Sequence, residues 1–207
     1  MQTAEYNSFI TNPNASMFYL HNFNNINRSL YSAYAQWQQN YNEDLGVLNW
    51  QVGTRVSKVN ANADEIDSNM AMMNPNVQAL RDNFNQADRD QDYSLFDLVL
   101  KTSFGLNKMV KLQASAAIKQ KAPSYTQLYT WFPLGVSAGL ADGRNYLGNL
   151  DLNKESAAKL DLGLLVKGDN WVFMPNIFYS DISDYIIGVT STNMPANMIA
   201  NMNNIQV

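Results

Sequence analysis

The chain of 207 residues has no cysteine and a single histidine, His21. The first absence excludes disulfides, thiolate metal sites and a cysteine nucleophile. The second excludes any catalytic or metal arrangement that needs two imidazoles. Charge is also scarce: 15% of residues are charged, against about a quarter in an ordinary soluble domain. With a net charge of −4 and no run of Lys or Arg, nucleic acid is not an expected partner. No apolar run approaches the roughly 18 residues of a membrane-spanning helix. The opening MQTAEYNSFI lacks the basic region and apolar core of a secretory signal. None of these absences excludes a β-barrel, whose spans are short and alternate.

What the chain does have is alternation with period two, the mark of a strand whose faces meet different surroundings. It recurs in segments 30–38, 47–58, 95–106, 109–119, 159–167 and 171–180. In 95–106, Phe96, Leu98, Leu100 and Phe104 oppose Asp97, Lys101 and Ser103; in 159–167, Leu160, Leu162, Leu164 and Val166 oppose Lys159, Asp161 and Lys167. Pro175 interrupts the last segment, as fits an edge or a bulge. Each segment is close to the 9–11 residues that a tilted strand needs to cross a bilayer.

Short links near 40–46, at Asn107-Lys108 and at 168–170 alternate with long polar ones at 60–92 and 120–158. Short turns on one side and long loops on the other fit an outer-membrane barrel. Trp37, Trp50, Trp171, Tyr179 and Tyr185, at strand ends, suit interfacial girdles. The rival is a soluble antiparallel sandwich or lipocalin-type barrel, which also alternates. Its water-facing side should carry more charge, and links of this length are unusual in so small a domain. The expectation is an all-β antiparallel transmembrane barrel, here a partial one of about six strands. Long extracellular loops and short periplasmic turns join the strands, and 1–28 and 187–207 are read as extracellular loop segments. Since the smallest outer-membrane barrels have about eight strands, the chain reads as a piece of something larger.

Three motifs lie in order: KAPSYTQLY at 121–129, GNLDLNKE at 148–155 and IFYSDISDYI at 177–186. Together they resemble the C-terminal barrel of TonB-dependent outer-membrane receptors. Lys121, Leu150 and Asn153 depart from the family pattern. Within the family, the insert at 131–149 and the segment FMPNIFYSDISDYIIG look most like the TonB-dependent copper receptors. The resemblance implies a bacterial outer-membrane protein surrounded by lipid, with the plug domain and remaining strands missing from 1–207. It implies a receptor whose extracellular loops capture a scarce metal or metal chelate and which meets the TonB complex through the missing plug region. It implies no enzymatic activity and no catalytic cofactor, with copper ion as the transported ligand. A siderophore receptor of the same family and a passive porin or adhesin-like barrel are the alternatives.

Methionine supplies the candidate metal ligands. Met70, Met72 and Met73 lie in one long link, and Met194, Met198 and Met202 are spaced four apart after the last strand. Thioethers are soft ligands that favour Cu(I) over Zn²⁺ or Mg²⁺. The rival readings are gap-filling methionine and the apolar face of a short helix. Tyr125, Tyr129, Trp131 and Phe132 form an aromatic group able to contact a ligand or to pack the loop. Asp88, Asp90 and Asp92 begin like a calcium loop, but Tyr93 and Val99 stand where it needs Gly and a carboxylate. That segment reads as a solvated acidic loop. His21, beside Asn22, reads as a surface residue.

Overall fold

The computed structural model describes residues 2–10, 18–43, 46–67, 74–133 and 146–202. They form one antiparallel sheet: β1 (Gln2–Ile10), β2 (Phe18–Glu43), β3 (Gly46–Asn62), β4 (Gln91–Gly105), β5 (Val110–Lys121), β6 (Glu155–Lys167), β7 (Val172–Phe173) and β8 (Asn176–Ser183). The strands follow chain order, each paired to the next, except that β7 and β8 both pair with β6. The sheet is an open partial barrel, with β1 at one edge and the β7–β8 strand at the other.

The six expected strands are all present, and the sheet holds more than expected. Residues 2–10 and 18–28, read as part of an extracellular loop segment, are strand, because β1 pairs with β2 from Gln2↔Arg28 to Ile10↔Phe18. The segment around Pro175 splits into β7 and β8 at the sheet edge. There the proline's missing N–H costs nothing, and its carbonyl still accepts from Leu164 N at 3.0 Å.

Register makes the alternation continuous across the strands. Trp37, Val52, Leu100, Ala116, Leu160 and Tyr179 are successive partners and form one apolar row. The next row over by one residue is polar: Gln38, Gln51, Lys101, Ser115 and Asp161. One face of the sheet is therefore apolar and left exposed, with Leu160 at 54% and Ile177 at 75%. Trp37 and Trp50 meet edge to face on it, centroids 4.4 Å apart.

The two ends of the sheet differ as sharply as its faces. At one end the hairpins are tight. Asn107 Oδ1 accepts from Met109 N at 2.8 Å and Val110 N at 2.9 Å. Gly168 lies so close under Trp171 that a Cβ there would sit 2.2 Å from the indole nitrogen. At the other end lie all three described helices: α1 (Pro75–Gln86), α2 (Tyr125–Tyr129) and α3 (Met194–Met202). None of the described helices is long and apolar enough to cross a membrane. The hydrophobic core is here and not in the sheet. Ile26 of β2, with Val59, Ala61 and Tyr93 near the ends of β3 and β4, packs with Leu80, Phe84, Leu128, Tyr129, Trp131, Phe132 and Ile199. Ile26, Val59, Ala61 and Tyr93 belong to the otherwise polar face, so the helices fold as a cap over that face.

Candidate functional site

Each helix of the cap begins on a side-chain cap that satisfies its first free N–H groups. Asn74 Oδ1 accepts from Asn76 N at 2.9 Å, ahead of Pro75. Ser124 and Gln127 form a reciprocal capping box. Asn193 Oδ1 accepts from Ala196 N at 3.0 Å. On α3 the buried face is Ala196 and Ile199, 0% and 2% exposed, whereas Met194 and Met198 are 68% and 51% exposed. The methionines thus lie on the outer side of a helix, one turn apart, and do not face the core. Met202 ends α3, its side chain outside the described part of the structure, and Met70, Met72 and Met73 lie outside the described residues.

The aromatic residues occupy a different position. Tyr125 meets Phe23 edge-on at 5.6 Å, and Tyr129, Trp131 and Phe132 are 1%, 4% and 4% exposed. Trp131 and Phe132 have centroids 5.2 Å apart. Tyr129 donates its hydroxyl to Arg89 O at 3.0 Å. Burial pushes its pKa up, and Tyr93, Asp90 and Asp88 add to this while Arg28 opposes it. Beside the cluster lies a cavity of about 830 Å³, lined by Asn83, Asp88, Asp92, Trp131, Asn149 and Asn193 among others.

The motifs that carry the resemblance prove to be mutual fastenings of the cap. Gly148 N donates to Thr130 O at 2.6 Å, and Asn149 N to Gln127 O at 2.8 Å, so the second motif lies flat on the end of α2. Lys154 Nζ reaches Ser94 O at 2.7 Å, and Tyr93 donates to Leu152 O at 2.9 Å. Glu155 accepts from Ile186 N at 3.0 Å and pairs with Lys121 at 3.3 Å, joining all three motifs. Arg89 holds α1 from its far end, donating to Ala63 O, Phe84 O, Asn85 O and Ala87 O. Arg89 also pairs with Glu65 at 3.4 Å. Most of its partners are backbone carbonyls without residue identity, so nothing in the sequence singled out its role.

The acidic run is dispersed rather than convergent. Asp88 Oδ1 accepts from Asp90 N at 3.0 Å, and Asp92 pairs with Asn60 and Lys58 across β3. Among the described residues no group of three or more His, Asp or Glu could hold a metal ion. His21 lies in β2, paired with Asn7, its side chain outside the described part.

Below the cap the polar face carries its own network. Arg55 Nε donates to Asp97 Oδ2 at 2.7 Å, and Gln120 N donates to the other oxygen at 2.9 Å. Ser115 Oγ donates to Asp161 Oδ2 at 2.9 Å, and Ser32 and Ser57 share a 2.8 Å bond. A recess of about 360 Å³ lies among Gln51, Lys101, Gln113, Asp161 and Asn176. Hydroxyls, amides and few charges can hydrogen-bond a passing solute or a neighbouring polypeptide surface.

No curated protein matches this sequence. Among solved structures it is similar to the siderophore receptor PirA from Pseudomonas aeruginosa, at 14% identity and a TM-score of 0.42. That match covers 80% of this chain and 35% of the other, so the chain spans about a third of that receptor's length. The family model for the β-barrel of TonB dependent receptor-like proteins matches residues 2–206, and the chain belongs to that family.

Proposed function

We propose that this chain is a wall segment of a bacterial outer-membrane receptor for TonB-dependent uptake of a scarce ligand. The observation that carries the reading is the division of one continuous sheet into an exposed apolar face and a hydrogen-bonding face capped at one end. Lipid takes the first face, and the second lines the lumen, closed by a plug supplied elsewhere in the receptor. The tight hairpins are periplasmic and the cap is extracellular, which puts α3 where ligand arrives. Ligand transfer then needs no catalytic group, only loops that capture it and an energised movement of the plug.

For the ligand we propose copper, on the support of Met194 and Met198. Two thioethers one helical turn apart on the solvent side of α3 offer soft donors to Cu(I). Uptake of radioactive copper is measured in cells carrying the complete receptor, with and without TonB. TonB-dependent uptake supports the receptor reading, and equal flux in both strains marks a passive pore. Calorimetry of the purified receptor separates the ligands. Cu(I) binding that is lost on Met-to-Leu changes at 194, 198 and 202 supports copper; binding of ferric chelates instead of Cu(I) gives the siderophore reading.

A further inference from the structure

On the exposed apolar face of the sheet, towards the tight hairpins, lies a groove of about 450 Å³. Its size falls within the roughly 300–1,000 Å³ of small-molecule clefts. Register explains its shape. Phe104, Leu112 and Leu164 are successive partners and bound it on the hairpin side. In the next apolar row Ala114 lies between Thr102 and Leu162, with Ile177 beyond. Ala116 continues the dip along β5, between Leu100 and Leu160. The result is a trough running along β5, walled by longer side chains on β4 and β6. Thr102 donates its hydroxyl to Asn49 O at 3.3 Å, so that group is satisfied within the sheet. Ser103 and Gln113, a pair in the row between, turn their side chains to the polar face.

The nearby rim is basic. In 105–111 and 165–172 the charged residues are Lys108, Lys111, Lys167 and Asp169. Lys111 belongs to the polar face, opposite Leu165. Lys108, at the tip of the β4–β5 hairpin, and Lys167, beside the next turn, are exposed. Neither forms an ion pair among the described residues. Lys167 N donates to Met109 O at 2.8 Å, which holds the two turns side by side. Lys108 is four residues from both Phe104 and Leu112, roughly 13 Å along the strands. The headgroup layer adds roughly 5–7 Å outside the hydrocarbon, so one lipid can span from the tip into the groove.

Within hydrocarbon no hydrophobic force drives a chain into a groove, and shape decides. An unfilled dip forfeits dispersion contacts along its walls, and an ordered acyl chain restores them. Lysine ammonium groups at the rim attract an anionic headgroup while their stems lie along apolar surface.

We propose that this groove binds one acyl chain of an anionic phospholipid, whose phosphate is held by Lys108 and Lys167. The inference rests on the receptor reading, which puts the apolar face in the membrane and the tight hairpins on the periplasmic side. The lipid therefore comes from the inner leaflet of the outer membrane.

The test is native mass spectrometry of the complete receptor in detergent micelles, supplied with dioleoyl phosphatidylglycerol or dioleoyl phosphatidylcholine. The wild type should keep one phosphatidylglycerol under activation that strips phosphatidylcholine. Ala114→Phe fills the trough and should lose the adduct, whereas Ala33→Phe, on the same face of β2 opposite Val56, should keep it. K108Q/K167Q should lower retention by about tenfold or more, since each basic residue near a charged lipid surface contributes about 1 kcal/mol. Equal retention of both lipids marks an unselective annulus and overturns the proposal. Retention unchanged in Ala114→Phe or in K108Q/K167Q, or lost as fully in Ala33→Phe, overturns it too. Should Ala114→Phe fail to assemble, Ala114→Leu narrows the trough with less bulk, and unchanged retention there overturns the proposal. A receptor that stays dispersed without detergent sinks the receptor reading together with this inference. One that needs detergent but holds no phosphatidylglycerol sinks this inference alone.

Discussion

A Cβ built on Gly148 would lie 2.6 Å from Leu128 O and 2.8 Å from Thr130 N, both backbone atoms at the end of α2. Neither atom can move without breaking the helix that the Ser124–Gln127 capping box fixes. Gly148→Ala is therefore expected to destabilise the cap by on the order of 2 kcal/mol, measured as a lower midpoint in denaturant. Tyr129 offers a second residue-scale outcome. Its burial raises the folded-state pKa above the ordinary value near 10, so folding favours the neutral phenol. That contribution is complete below about pH 10 and declines as the pH rises further towards the folded value. Tyr129→Phe should remove this alkaline loss while costing about 1 kcal/mol at pH 7 through the lost bond to Arg89 O. A stability-versus-pH profile of both proteins checks the sign.

At the scale of elements, the helices α1 to α3 and the strand β1 were the least legible parts of the sequence. The wall strands announce themselves because each separates two unlike media, which forces period two on Phe96 to Phe104 and Leu160 to Val166. β1 and the start of β2 carry no such pattern; they pair through the main chain, which any residue provides. The helices are short and lie within polar links, so their periodicity is weak. Their starts were nonetheless written out: Asn74-Pro75, Ser124 with Gln127, and Asn193 before Met194 are all N-terminal signals. Asn193→Ala should cost α3 about 1 kcal/mol, seen as faster amide exchange in 194–202 with the wall strands unchanged. The spacing of Met194, Met198 and Met202 was legible as a helix face. That Met194 and Met198 point outward was not, because Ala196 and Ile199 are equally apolar and sit on the opposite side.

For the whole molecule, the decisive property is that face and end are specified separately. Leu100 stands mid-row on the apolar face between Val52 and Ala116, while Lys101 is its neighbour on the polar face. Leu100→Arg puts a charge on the face proposed to meet lipid and should cost about 2–4 kcal/mol, read as reduced assembly into the outer membrane. Gln51→Arg, on the polar face opposite Lys101, should assemble as wild type does. The pair of variants tests which face meets lipid without reference to any ligand.

The position of the core has a calorimetric consequence. The buried apolar side chains of the described residues all belong to the cap and the strand ends beneath it, and the wall keeps its apolar face outside. In a bilayer that face stays in hydrocarbon when the cap melts, so little of it becomes hydrated. Heat uptake on warming should therefore come from the cap alone. The heat-capacity increment per residue should fall below the roughly 12–15 cal/mol/K of a water-soluble domain. Such a protein loses the order of its cap first, while the strands of its sheet stay paired.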